Sequence, residues 1–99
     1  MPLRLRDKIL IVAAELDTDY EGGDFTVETL AVRSWERYSD TFGLRGYSLP
    51  DSGMVFAKIC DLTRLGLLER TRESCVWITQ AGRTVAKELV RTHAAESAR

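Results

Sequence analysis

The sequence predicts a mainly α-helical fold with one small β-hairpin. Four segments repeat apolar residues at the three- and four-residue spacing of an amphipathic helix. Near the C-terminus, two short apolar runs flank a polar turn, which is the pattern of two antiparallel strands. The chain has 99 residues, of which 44% are apolar and 29% are charged. This length and composition indicate one folded domain over residues 1–99, with a single modest core.

The first half of the chain predicts two helices and a short extended segment. The first helix is expected over about residues 3–16, and its apolar stripe is broad enough for deep burial or for an interface. Residues 25–26 predict a short extended piece, in which Thr26 caps a second helix that runs to about Tyr38. Between and beside these helices, residues 15–28 hold six acidic residues and no Lys or Arg. We call residues 15–28 the acidic pole.

The second half of the chain predicts two more helices, one on each side of the hairpin. Residues 39–48 follow no regular pattern, but the segment 42–47 is apolar enough to pack back onto the domain. The third helix is expected over residues 51–65, with three apolar residues facing inward: Val55, Ile59 and Leu62. The hairpin is expected over residues 67–79. Thr79 then caps the fourth helix, and residues 93–99 are expected to fray.

Two passages of the chain resemble a winged helix-turn-helix domain. Residues 62–68 read Leu-Thr-Arg-Leu-Gly-Leu-Leu, similar to the Leu-x-x-x-Gly-Leu-Leu passage by which the family leaves a helix and enters its wing. Residues 78–83 read Ile-Thr-Gln-Ala-Gly-Arg, similar to the Leu-Thr-x-x-Gly-Arg that follows the second wing strand. The order of expected elements agrees over nearly the whole chain. The insertion at 42–47 departs from the family's tight turn.

The resemblance implies four helices plus a two-stranded wing, and a bacterial-type transcriptional regulator that binds DNA. It places helix 51–65 in the major groove, with the wing 67–79 beside it. It also implies a homodimer that pairs through the first and fourth helices. The candidate DNA contacts lie on this helix, on the wing and on the preceding loop: Arg45, Ser52, Met54, Lys58, Arg64, Arg70 and Arg72. An ion pair of Arg45 with Asp40 or Asp51, and a solvated wing edge, are alternative roles for these cations.

The net charge of −1 at pH 7 favours a second interpretation, a protein–protein interaction module of the same fold. Its contact surface would be the loop 42–47, Trp77 and the acidic pole. Trp77 is expected to point outward because it alternates with Val76 and Ile78 along the second strand. Packing of Trp77 on a terminal helix, and a merely solvated acidic loop, are the alternatives to this interface.

The residues needed for catalysis or metal binding are not grouped in the sequence. Cys60 and Cys75 lack the spacing of a metal knuckle, the single histidine, His93, lies near the tail, and no glycine-rich segment matches a phosphate-binding motif. We therefore expect no enzyme activity, no cofactor and no metal, and two buried reduced thiols that pack in the core or at its edge. No apolar run approaches the roughly 20 residues of a membrane span, and no signal peptide is recognisable. We expect a cytoplasmic protein.

Overall fold

The structure is a computed structural model that describes residues 3–43 and 51–93. The described chain is mainly helical and carries a small three-stranded antiparallel sheet in the order β1-β3-β2. The elements, in chain order, are α1 Leu5–Asp19, β1 Phe25–Thr26, α2 Val27–Arg37, α3 Ser39–Phe42, α4 Ser52–Arg64, β2 Leu68–Arg72, β3 Cys75–Ile78 and α5 Gln80–Thr92. The predicted fold class, mainly α-helical with a small β-sheet, is confirmed.

The sheet has one strand more than the sequence predicts. β1 pairs antiparallel with β3, with Phe25 opposite Val76 and Thr26 opposite Cys75. This pairing uses the second edge of β3, and it brings Phe25 into the core. The sequence identified residues 25–26 as extended but contained no sign of their partner, about fifty residues further along the chain.

A short helix also forms where the sequence predicts an irregular segment. α3 follows α2 after a single residue, and it buries Phe42 completely. This burial agrees with the expectation that apolar residues of the loop 42–47 pack onto the domain. Residues 44–50, which hold the rest of that loop and Arg45, lie outside the described residues.

Three helices, α2, α4 and α5, begin at a residue whose side chain accepts from a backbone N–H group of the first turn. The Thr26 hydroxyl accepts from the amide of Thr29 at 3.0 Å, and the Thr79 hydroxyl accepts from the amide of Gly82 at 3.0 Å. Both caps are as predicted. Asp51 caps α4, since its carboxylate accepts from the amide N–H of the third helical residue at 3.1 Å.

The core is built around α1, which contacts α2, α4, α5 and β3. Six of its residues are buried: Ile9, Leu10, Ile11, Val12, Ala13 and Leu16. The broad stripe predicted for this helix is therefore covered within one protomer. The three inward residues predicted for α4 are buried against it, and each large aliphatic side chain removed from water contributes about 1.5–3 kcal/mol.

The start of α5 is held against the base of the β2–β3 hairpin. The Thr79 hydroxyl donates to the carbonyl oxygen of Gly66 at 2.7 Å, and the Thr79 amide donates to that of Leu67 at 3.1 Å. Gly82 is buried where α5 passes this backbone. A methyl group on Gly82 would overlap the Leu67 carbonyl and come within 2.7 Å of the Ile78 side chain. The absence of a side chain at position 82 therefore permits the close contact between α5 and the base of the hairpin.

We predict that Gly82→Ala lowers the free energy of unfolding by about 2–4 kcal/mol, because the methyl group overpacks a site bounded by backbone. Gly53→Ala is the matched control. It also lies near a helix start, its new methyl group meets only ordinary contact with Asp51 at 3.6 Å, and it should be neutral or stabilising by up to about 1 kcal/mol. Urea denaturation measures both, and equal stabilities of the two variants would contradict the prediction.

Candidate nucleic-acid interface

α4 is buried on one side and open on the other. Its inward residues lie in the core, whereas Gly53, Ala57 and Arg64 are exposed on the opposite side. β2 packs beside the helix. The two elements meet at an exposed contact, in which the guanidinium carbon of Arg70 lies 5.5 Å from the centre of the Phe56 ring. Phe56 is 44% exposed. We call α4 and the β2–β3 hairpin together the helix–hairpin surface.

The candidate DNA contacts on α4 differ in how far their side chains are exposed. Arg64 has a 77% exposed side chain and lies 3.4 Å from the Asp61 carboxylate, which Lys58 also approaches at 3.9 Å. Met54 is half-buried and packs against the core. Part of its side chain is covered because burial of the apolar thioether is favourable, and the rest stays open to a ligand. Ser52 begins α4, and its side chain is not among those described.

The two arginines of the hairpin have different partners. Arg72 lies 3.3 Å from the Asp24 carboxylate, which also accepts from the Thr71 hydroxyl at 2.6 Å. Arg70, by contrast, forms no ion pair within the described part of the chain and covers the Phe56 ring. The neighbouring glutamate, Glu69, is engaged elsewhere on the hairpin. The sequence missed the Arg70–Phe56 contact because it joins residues of two different elements.

The pKa of Asp24 is lowered from its ordinary value. The hydrogen bond from the Thr71 hydroxyl is the largest cause, burial opposes it, and the charge of Arg72 adds to the lowering. The pKa of Arg72 is raised, first by a hydrogen bond with Cys75 and then by the Asp24 charge. These interactions connect the segment before β1 to both strands of the hairpin.

The acidic pole is largely neutralised by arginines from other elements. Four of its six carboxylates form ion pairs at 3.0–3.3 Å: Glu15 with Arg37, Asp17 with Arg83, Asp19 with Arg33, and Asp24 with Arg72. The pole is therefore not the free acidic surface that the sequence suggested. Distant segments supply its counter-charges when α2, α5 and β2 pack around the end of α1.

Trp77 points away from the core, as predicted from the strand alternation, and is 39% exposed. Its indole N–H donates to the carboxylate of Glu69, directly opposite on β2, at 3.1 Å.

Cys60 and Cys75 are free thiols of intermediate burial, in agreement with the prediction. Within residues 3–43 and 51–93, no three potential metal-ligating side chains are grouped, and no helix has the length and apolar character to cross a membrane.

A second open feature is a groove of about 680 Å³ between α1 and α5. Its walls include four apolar residues, Ile11, Ala14, Ala86 and Val90, and charged residues of both signs. Val90 is 42% exposed. The groove lies on different elements from the helix–hairpin surface.

Comparison of the chain with family models, with curated proteins and with solved structures finds no match.

We predict that Asp24→Asn destabilises the domain at neutral pH and that this difference shrinks in acid. Because the folded-state pKa of Asp24 is lowered, its stabilisation is present above the unfolded value near 3.8 and is lost as pH falls through the folded value. Urea midpoints of both proteins between neutral pH and about pH 2.5 measure this. Glu73→Gln, at the turn of the same hairpin, is the control and should show no such convergence. If Asp24→Asn destabilises the domain equally at every pH, the Asp24 carboxylate is not the source of the stabilisation.

Proposed function

We propose that this chain is a winged helix-turn-helix protein that binds duplex DNA and regulates transcription. The observation that carries the proposal is the open side of α4 beside a hairpin that bears Arg70 and Arg72. A helix buried on one side only, and flanked by a ribbon that bears two exposed arginines, suits insertion into a major groove with the ribbon on the adjacent backbone. Apart from α3 and the pairing of β1 with β3, the elements follow the order that the resemblance implies, which supports the proposal.

The charges of the helix–hairpin surface support weak contacts with DNA phosphates. Lys58 and Arg64 share one carboxylate, so this end of α4 keeps one excess positive charge. Arg70 has no acidic partner among the described residues. An exposed ion pair such as Arg72–Asp24 contributes little to stability, so a phosphate can replace the carboxylate at little cost. Phosphate contacts of this kind position a protein on DNA without reading its sequence.

Salt dependence of duplex binding tests this proposal. Arg64→Gln and Arg70→Gln should each weaken binding and reduce the slope of log affinity against log salt by about 0.9, as expected for one lost phosphate contact. Arg91→Gln, which removes an exposed cation of α5 outside the groove lining, is the control and should leave the slope unchanged. Gel retardation over a salt series gives all three slopes. Absence of any retarded duplex at low salt, or equal slopes for the three variants, would refute the proposal.

A protein–protein interaction module is the second candidate function. The exposed Trp77 favours it, because large aromatic side chains at a surface are frequent anchors of protein interfaces. The acidic pole contributes less to this alternative than the sequence suggested, since most of its carboxylates are paired. Failure of duplex binding in the experiment above would leave the Trp77 surface as the stronger candidate.

We also propose that two copies pair across the α1–α5 groove. Most of the apolar stripe of α1 is already covered, so the available apolar surface is the groove wall and the exposed Val90. Lys87 and Glu15 lie on opposite helices of the groove, so a two-fold axis can place each beside the opposite charge of the second copy.

We predict that Val90→Asp shifts this association toward the monomer, because it places a charge in the centre of an apolar contact. Val32→Asp is the matched control, since Val32 is 43% exposed but lies on α2, away from the groove. Sedimentation equilibrium over a concentration series distinguishes the two variants. A wild-type protein that stays monomeric throughout, or a Val90→Asp variant that associates as the wild type does, would exclude this interface.

A further inference from the structure

We infer that the helix–hairpin surface recognises thymine methyl groups in the major groove through contact with Phe56. The inference rests on the DNA-binding function proposed above and specifies the base feature that this surface recognises. It follows from the side chains that α4 exposes, from the fixed position of the Phe56 ring, and from the charges around it.

The open side of α4 offers few hydrogen bonds to base edges. Among the residues of its first two turns whose burial is described, the exposed ones are Gly53, Phe56 and Ala57, none of which has a polar side-chain group, and Lys58 is half-buried. Hydrogen-bonded recognition of guanine or adenine uses Arg, Lys, Asn or Gln. The other feature that distinguishes bases in the major groove is the thymine methyl group, which apolar side chains contact. The exposed chemistry of these two turns therefore matches that methyl group.

The Phe56 ring is exposed but held in place. Arg70 lies over the ring with its guanidinium carbon 5.5 Å from the ring centre, an arrangement in which cation and ring attract each other. Phe56 also borders a shallow depression formed with Val27, Ala31 and Gly53. Since the ring is already positioned, little side-chain entropy is lost when it meets a second apolar group.

The charges near Phe56 favour DNA over an apolar protein partner. Arg70 is directly on the ring, and a cation in that position lies close to the phosphates that border a groove occupied by α4. Glu28 lines the depression beside Phe56, and its carboxylate can accept from the amino group of a cytosine or an adenine in the major groove. The apolar ring, the cation and the acceptor are thus complementary to a base methyl group, a phosphate and a base amino group.

The test uses duplexes that differ only in methyl groups. The first pair is an alternating A·T duplex of about two helical turns and the same duplex with deoxyuridine in place of thymidine. The second pair is an alternating G·C duplex with and without 5-methylcytosine. Each exchange changes the methyl group in the major groove and leaves backbone charge and base pairing intact. Wild-type protein should bind the methylated member of each pair about three- to fivefold more tightly, as expected for burial of one methyl group.

Phe56→Ala should remove this preference and keep the salt dependence of binding, because the phosphate contacts remain. Val32→Ala is the control, an exposed apolar residue on α2 that should keep the preference. Circular dichroism and urea midpoints establish that both variants are folded. If Phe56→Ala does not fold, Phe56→Leu replaces it and should reduce the preference.

The outcomes separate this inference from the function on which it rests. Equal wild-type affinity for thymine and uracil duplexes, with normal salt-dependent binding, would overturn the inference alone and would indicate backbone or minor-groove contact. A methyl preference that survives in folded Phe56→Ala would also overturn it. Failure to retard any duplex at low salt would remove the DNA-binding function itself, and Phe56 would then be part of a protein-binding surface.

Discussion

The structure depends on the burial of α1, because this helix is the surface on which the other elements assemble. Its six buried residues contact helices from both ends of the chain and the central strand of the sheet. Burial of a helix so apolar requires partners on several sides. α4 is consequently held by one face only, and that face is fixed by the core. The open side of α4, on which the functional proposal is based, follows from this arrangement.

A second constraint is the close approach of α5 to the hairpin. Thr79 and Gly82 bring the first turn of α5 against the backbone at Leu67, which fixes where β2 begins. β2 then passes beside α4 and places Arg70 over Phe56. Backbone packing at Leu67, three residues before Arg70, therefore sets the exposed contact between helix and hairpin. The function proposed for this surface relies on that rigid base.

Ion pairs in the folded chain determine which charged side chains remain available at the surface. The chain is almost neutral, and its acidic pole suggested an anionic surface. In the folded chain, arginines of α2, β2 and α5 pair with most of that pole, whereas Arg70 has no acidic partner among the described residues. Such exposed pairs contribute little stability individually. Their effect is to determine which cations of the helix–hairpin surface remain available to a ligand.

The sequence by itself determined the helical class, the caps at Thr26 and Thr79, the inward face of α4 and the outward direction of Trp77. Each of these follows from local rules, namely the periodicity of apolar residues and the satisfaction of backbone N–H groups. Only the tertiary structure decided the β1–β3 pairing, the neutralisation of the acidic pole, the burial of Met54 and the Arg70–Phe56 contact. These features join residues that are distant in the chain, and periodicity within one segment carries no information about which distant segment will pack against it.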